Sequence, residues 1–120
     1  MIWNRAALES GGRFGRPGDF ALAALLLVHG MAMNGGIAHA IEVLSPEQYE
    51  AGVSGYDFFG LSAVSALLQS AVGVEELERK RFDTQYGVLV PGDDTLVRAF
   101  EEKLRAEPHA FAPLATSGSA

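Results

Sequence analysis

The chain contains no cysteine. A disulfide scaffold, Cys-ligated zinc, iron–sulfur chemistry and thiol nucleophiles are therefore excluded. Basic residues are also scarce: nine Lys plus Arg stand against 15 Asp plus Glu, for a formal net charge of −6. Neutralising phosphates needs a basic face, so a general nucleic-acid binder is disfavoured. Gly-x-Gly-x-x-Gly, the P-loop and the Gly-x-Ser-x-Gly elbow are all missing, which leaves nucleotide binding and α/β-hydrolase chemistry without support. The apolar run from Phe20 to Val28 is nine residues, against the ~18 to 20 needed to cross a bilayer. Alternating apolar and polar runs, the mark of half-buried strands, do not occur.

What is present suits one globular domain. With 120 residues, 48% hydrophobic and 20% charged, the chain should bury roughly 65% of its unfolded surface, enough for an ordinary core. Disorder of the body is excluded by the same balance. The charge is unevenly placed. Residues 1–41 sum to +1 and residues 42–78 to −7, from Glu42, Glu47, Glu50, Asp57, Glu75, Glu76 and Glu78. No Lys or Arg stands between Pro17 and Glu78; Arg79, Lys80 and Arg81 then restore +3, and residues 82–120 carry −3. Such a gap predicts a surface of unrelieved negative potential able to steer a basic partner. The plain alternative is a solvated, solubilising face.

One stretch has the outline of a signal peptide: Arg5, Arg13 and Arg16, then Phe20 to Val28, then Ala38-His39-Ala40. Glu9 and Asp19 dilute its basic region, and residues 29–40 form a long, glycine-interrupted approach to the cleavage form. The expectation is a cytoplasmic protein without a membrane segment.

Along the chain, residues 1–17 read as an arm or short helix and loop, residues 18–114 as a helical domain, and residues 115–120 as a frayed tail. Phe20 to Met33 carries apolar residues on every face and predicts a central, mostly buried helix. Asn34-Gly35-Gly36 should end it, since Asn and Gly tolerate the left-handed conformation. A short apolar helical segment follows from Ile37 to Leu44. Ser45-Pro46-Glu47-Gln48 has the form of a capping box with Pro at the first helical position. In the helix it opens, Tyr49, Val53 and Tyr56 lie on one face and Glu47, Glu50 and Asp57 on another. Leu61 to Val72 is amphipathic and stopped by Gly73. Glu75 to Thr84 predicts a charged helix with Leu77 and Phe82 inward, where Glu75–Arg79 and Glu76–Lys80 pairs at i, i+4 would partly neutralise the acids. Tyr86 to Gly92 reads as an apolar loop, because a lone strand has no partner. Asp93 and Asp94 should cap the last helix, which shows Leu96, Val97, Phe100 and Leu104 inward and ends by Pro108. Phe111 and Leu114 then fold back. The fold class is all-α, an irregular bundle of five or six helices.

Several of these pieces occur in a suggestive order: Asn34-Gly35-Gly36-Ile37 after an apolar helix, Gly60-Leu61 before a small-residue helix with Ala63, Ala66, Leu67, Leu68 and Ala71, Phe82 and Tyr86 before Asp93-Asp94, and Glu107-Pro108 with Phe111. In this the chain resembles the DNA mimic protein 19 family, over roughly Asp19 to Phe111. Ile37-Ala38-His39-Ala40-Ile41 departs from the aromatic, Gln-containing helix usual there. The resemblance implies a bacterial, all-helical acidic domain, largely of unknown function, one of whose relatives presents carboxylates in place of DNA phosphates to a DNA-binding regulator. Immunity proteins that neutralise toxins look similar.

Enzymatic readings are thinner. His39 and Glu42 lie three apart, but in the reverse of the Glu-x-x-His order of helical di-iron sites and without a second pair. His29 inside the apolar helix reads as a hydrogen-bonded core residue. Ser45, Ser54, Ser62, Ser65 and Ser70 lack the surroundings of a nucleophile. The expectation is a non-enzymatic binding protein without cofactor or metal, its partner-binding residues Glu42, Glu47, Glu50, Asp57, Glu75, Glu76 and Glu78 and its structural turn Asn34, Gly35 and Gly36. The partner would be a basic protein, a DNA-binding regulator or a toxin; self-association into a homodimer stays open. The alternative of another class is a metal-dependent or hydrolytic enzyme using His29, His39 and Glu42.

Overall fold

A computed structural model describes residues 15–112, apart from the side chains of Glu76 and Leu77. The readings made for residues 1–14, for Leu114 and for the tail lie outside the described residues. Within them the protein is all-α: α1 (Pro17–Val43), α2 (Pro46–Phe58), α3 (Ser62–Ala71), α4 (Glu76–Leu89) and α5 (Asp93–Ala106), followed by a 3-10 turn over Pro108–Ala110.

α1 is the spine, and its most extensive packing is against α2. The stop expected at Asn34-Gly35-Gly36 is present as a kink that divides it into two helical halves. Gly36 takes φ 88° and ψ 173°, which kinks the helix, and helical geometry resumes at once. The restart is possible because Asp83 of α4 accepts a hydrogen bond from the Ile37 N–H at 2.7 Å. A carboxylate from another helix thus caps the second half of α1, and offsets the positive end of its dipole. At the beginning of α1 the buried Asp19 carboxylate accepts from the backbone N–H of Arg16 at 2.9 Å and of Ala112 at 2.7 Å. That contact stitches the C-terminal strap to the start of the spine and supplies the hydrogen bonds a buried charge requires.

The expectation that α1 is mostly buried is corrected by its surface. Leu22, Leu25, Val28, Ile37 and Ala40 are in the core, while Phe20 is 51%, Leu27 37% and Met33 63% exposed. The neighbouring helices cover one side of it only. By length and composition α1 is apolar enough to cross a membrane, with mean hydropathy 1.7 over an 18-residue window. The core helix of a soluble protein and a signal sequence meet the same measure.

The capping box at α2 forms as read: Gln48 N–H donates to Ser45 Oγ at 3.1 Å and Gln48 Oε1 accepts from Ser45 N–H at 2.9 Å. Tyr49, Val53 and Tyr56 are buried on its inner face. Gly52 and Gly55 are buried too, and they bring α2 unusually near α1: a Cβ on Gly55 would stand 2.5 Å from the Ala21 carbonyl oxygen.

α4 is longer than the sequence indicated, since helix continues through Leu89 across the stretch expected to be a loop. Tyr86 anchors it by hydrogen bonds to α1 and α2. A contact with another element outweighs the poor local propensity of Gly87 and Val88. The N-cap of α5 is Gly92 and makes no side-chain cap bond; the Asp93 carboxylate is engaged with α1 instead. At the far end Phe59, Phe100 and Phe111 form an aromatic cluster with centroids 5.4 to 6.4 Å apart. The Lys103 ammonium lies over the adjoining Phe58 ring at 4.5 Å. Phe111 folds back, 2% exposed, as expected.

Candidate functional site

Two constellations stand out, one buried and one on the surface. The buried one joins four helices. His29 of α1 has Nδ1 2.7 Å from the Tyr86 hydroxyl of α4 and Nε2 2.9 Å from Asp93 Oδ1 of α5. The Tyr86 hydroxyl in turn meets that of Tyr56 of α2 at 2.5 Å. One proton arrangement satisfies every member. An ionised Asp93 accepts from Nε2–H, Nδ1 accepts from Tyr86, and Tyr86 accepts from Tyr56.

Burial raises the Tyr86 phenol to about 12, with the Asp93 charge adding and the hydrogen bond from Tyr56 opposing. Tyr56 is pushed up further still, first by burial and then by the proximity of Tyr86. Both phenols therefore stay neutral over the ordinary pH range. Tyr56 is 0% and Tyr86 4% exposed, whereas the Asp93 side chain is 76% exposed. These hydrogen bonds fasten α1, α2, α4 and α5 together. The core reading of His29 thus finds its partners, two of which, Tyr86 and Asp93, the sequence placed in other roles.

His39 is half-buried on α1, against Gly35, and forms no group with His29 and Glu42. Among the described residues no three His, Asp or Glu side chains converge as a metal ion would require.

The surface constellation is acidic. Glu47, Glu50 and Asp57 are exposed along the outward face of α2, and Glu42 is exposed in the last turn of α1 just before it. Asp57 accepts a hydrogen bond from the Ser62 hydroxyl at 3.3 Å. The ion pairs among the described residues are His29–Asp93 and Lys103–Glu107, so these four carboxylates carry unneutralised charge.

Glu75 and Glu78 are exposed as well but belong to the start of α4. Glu78 shares a small hollow with Arg81, Phe82 and Gln85. The expected Glu75–Arg79 pair does not form. Glu75 is the N-cap of α4, with an extended backbone at ψ 150°, and so is off the helical face that i, i+4 pairing needs. Arg79 stands instead near Tyr49, whose phenol it pulls down against the larger effect of burial, leaving it raised to about 12. The Glu76 side chain lies outside the described residues.

Beside the acidic face, α2 and α3 enclose an open groove of about 410 Å³ lined by Tyr49, Glu50, Val53, Ser54, Gln69 and Val72. Tyr49 forms its back wall and donates a hydrogen bond to the Leu68 carbonyl at 2.8 Å, which ties the last turn of α3 to α2. Nothing in the sequence pattern marked this groove, because its two walls come from helices whose relative placement no local signal encodes.

Comparison with known proteins finds no matching family model, no similar curated protein and no similar solved structure.

Proposed function

We propose that this chain is a non-enzymatic, cytoplasmic binding protein whose acidic face covers the basic nucleic-acid-binding surface of a partner protein, a transcriptional regulator in the first instance. One observation carries the reading. Glu42, Glu47, Glu50 and Asp57 are exposed, free of ion pairs and gathered on α2 and the turn before it, in a stretch without Lys or Arg. The outward faces of α4 and α5 instead mix signs: α5 exposes Asp94, Arg98, Glu101, Glu102 and Arg105 together.

Carboxylates at i, i+3 or i+4 of a helix lie ~5 to 6 Å apart, against ~3.4 Å of axis per phosphate along a DNA strand, so the face can stand in for a few phosphates. Unlike a polyanion it is a fixed shape, so it can select one partner. A basic nuclease cleft would meet the same face, and an immunity role belongs to the same reading.

The test uses the protein partner captured from native cells. Duplex DNA should compete with this chain for it, and association should slow as salt rises, because exposed charges are screened over ~8 to 10 Å at physiological ionic strength. Neutralising Glu42, Glu47, Glu50 and Asp57 together to Gln or Asn should weaken association while helicity is kept. Simultaneous binding of DNA and this chain to the partner would refute the proposal.

A further inference from the structure

The groove between α2 and α3 has the chemistry of a cation site rather than of a neutral cleft. One wall is the end of α3, where Gln69 lies in the last turn and Val72 is the C-cap. No basic residue occupies that last turn. α3 itself therefore supplies no counter-charge to the negative end of its dipole, a position that favours a cation. Facing it across the groove is Glu50, an exposed carboxylate in no ion pair.

The remaining lining divides into two kinds of surface. The Ser54 hydroxyl and the Gln69 amide are polar and exposed, while Val53 and the 56% exposed Val72 are apolar. Arg79, near Tyr49, is not among the lining residues. A compact hydrated cation would leave the valines unused. A long side chain with an apolar stem and a multidentate cationic head uses both surfaces.

We propose that this groove receives an arginine side chain of the basic partner, its methylenes over Val72 and Val53 and its guanidinium between Glu50 and the C-terminal end of α3. The planar head offers five N–H donors in fixed directions, which suits acceptors on two walls better than an ammonium does. The stem gains by lying on apolar surface while the head stays in contact with water. The inference deepens the reading of the acidic face and rests on it: Glu50 would anchor one residue of the partner while Glu47, Asp57 and Glu42 act through longer-range attraction.

The experiment titrates the isotopically labelled full chain with the peptide acetyl-Gly-Arg-Gly-amide, followed by amide chemical shifts. Its citrulline and lysine counterparts serve as comparison probes. Saturable shifts at Ser54, Gln69 and Val72 are expected with the arginine peptide, weaker ones with lysine and none with citrulline. Glu50→Gln should weaken the arginine peptide by about fivefold, the upper end for a partly exposed ion pair. Asp94→Asn, an equal loss of charge on α5, should leave it unchanged, and the spectra report that both variants are folded.

Shifts spread along α2 alike for arginine and lysine, or indifference to Glu50→Gln, would overturn the groove while leaving the acidic-face reading intact. Absence of any shift would overturn it as well. Arginine binding in the groove together with a partner that holds DNA and this chain at once would sink the broader function and spare the site.

Discussion

The nearness of α1 and α2 can be tested by giving α2 a single methyl group. Built on Gly55, a Cβ would lie 2.5 Å from the Ala21 carbonyl oxygen and 3.3 Å from Leu25 Cβ, whereas ordinary contacts begin at 3.4 Å. The obstacle is backbone within a helix, so a rotamer change cannot relieve it. The two helices must part locally by about 0.9 Å, the difference between 3.4 and 2.5 Å. Overpacking of this kind costs ~1 to 3 kcal/mol, from which the better helix propensity of Ala returns up to ~1 kcal/mol. Gly55→Ala should therefore lose about 1 to 2 kcal/mol, or roughly 4 to 8 °C in Tm for a domain of this size.

Gly30 and Gly87 provide the opposite case. Both are exposed within helices, and a Cβ on either would meet nothing within 4 Å. There only the propensity term operates, so Gly30→Ala and Gly87→Ala should each gain about 0.5 to 1 kcal/mol. Thermal melts followed by far-ultraviolet dichroism measure all three variants. A Gly55→Ala protein melting at or above the parent would refute the close approach of α1 and α2.

Three further outcomes follow from the polar contacts. Tyr86→Phe removes the acceptor of the buried Tyr56 hydroxyl and the donor to His29, and should cost ~2 to 3 kcal/mol in urea unfolding, whereas Tyr56→Phe leaves the Tyr86–His29 bond in place and should cost ~1 kcal/mol; equal losses would contradict the proton order derived above. Tyr49 and Tyr86 are both raised to about 12 from the ordinary 10, so the stability tied to their neutral forms is complete below pH ~10 and is lost as pH climbs toward 12. Phenolate absorbance should accordingly lag behind that of the unfolded chain, and normal half-titration of all three tyrosines near pH 10 would be inconsistent with their burial. Asp83→Ala strips the cap from Ile37, and Gly36→Val places a branched residue at φ 88°; each should cost more than ~1 kcal/mol, and unchanged melting of both would remove the account of the kink.

Local pattern was enough to determine the helical class, the Ser45–Gln48 capping box, the inner face of α2 and the position of the break near Gly36. Each of these depends on residues within one or two turns of one another, so the chain itself carries the instruction. The acidic face of α2 belongs here too, since side chains three and seven residues apart share a helical face wherever the helix is placed. Tertiary structure decided what local rules leave open. Asp83 caps the helix that restarts after the break at Gly36, Tyr86 drew an expected loop into α4, and Asp93 left its cap for His29. In each case a polar side chain bonds to a group on another helix, a partner that no pattern within one or two turns of the chain can specify. The groove over Tyr49 was set in the same way, by the contact of α3 with α2, because a cavity is a property of two surfaces and neither helix contains it alone.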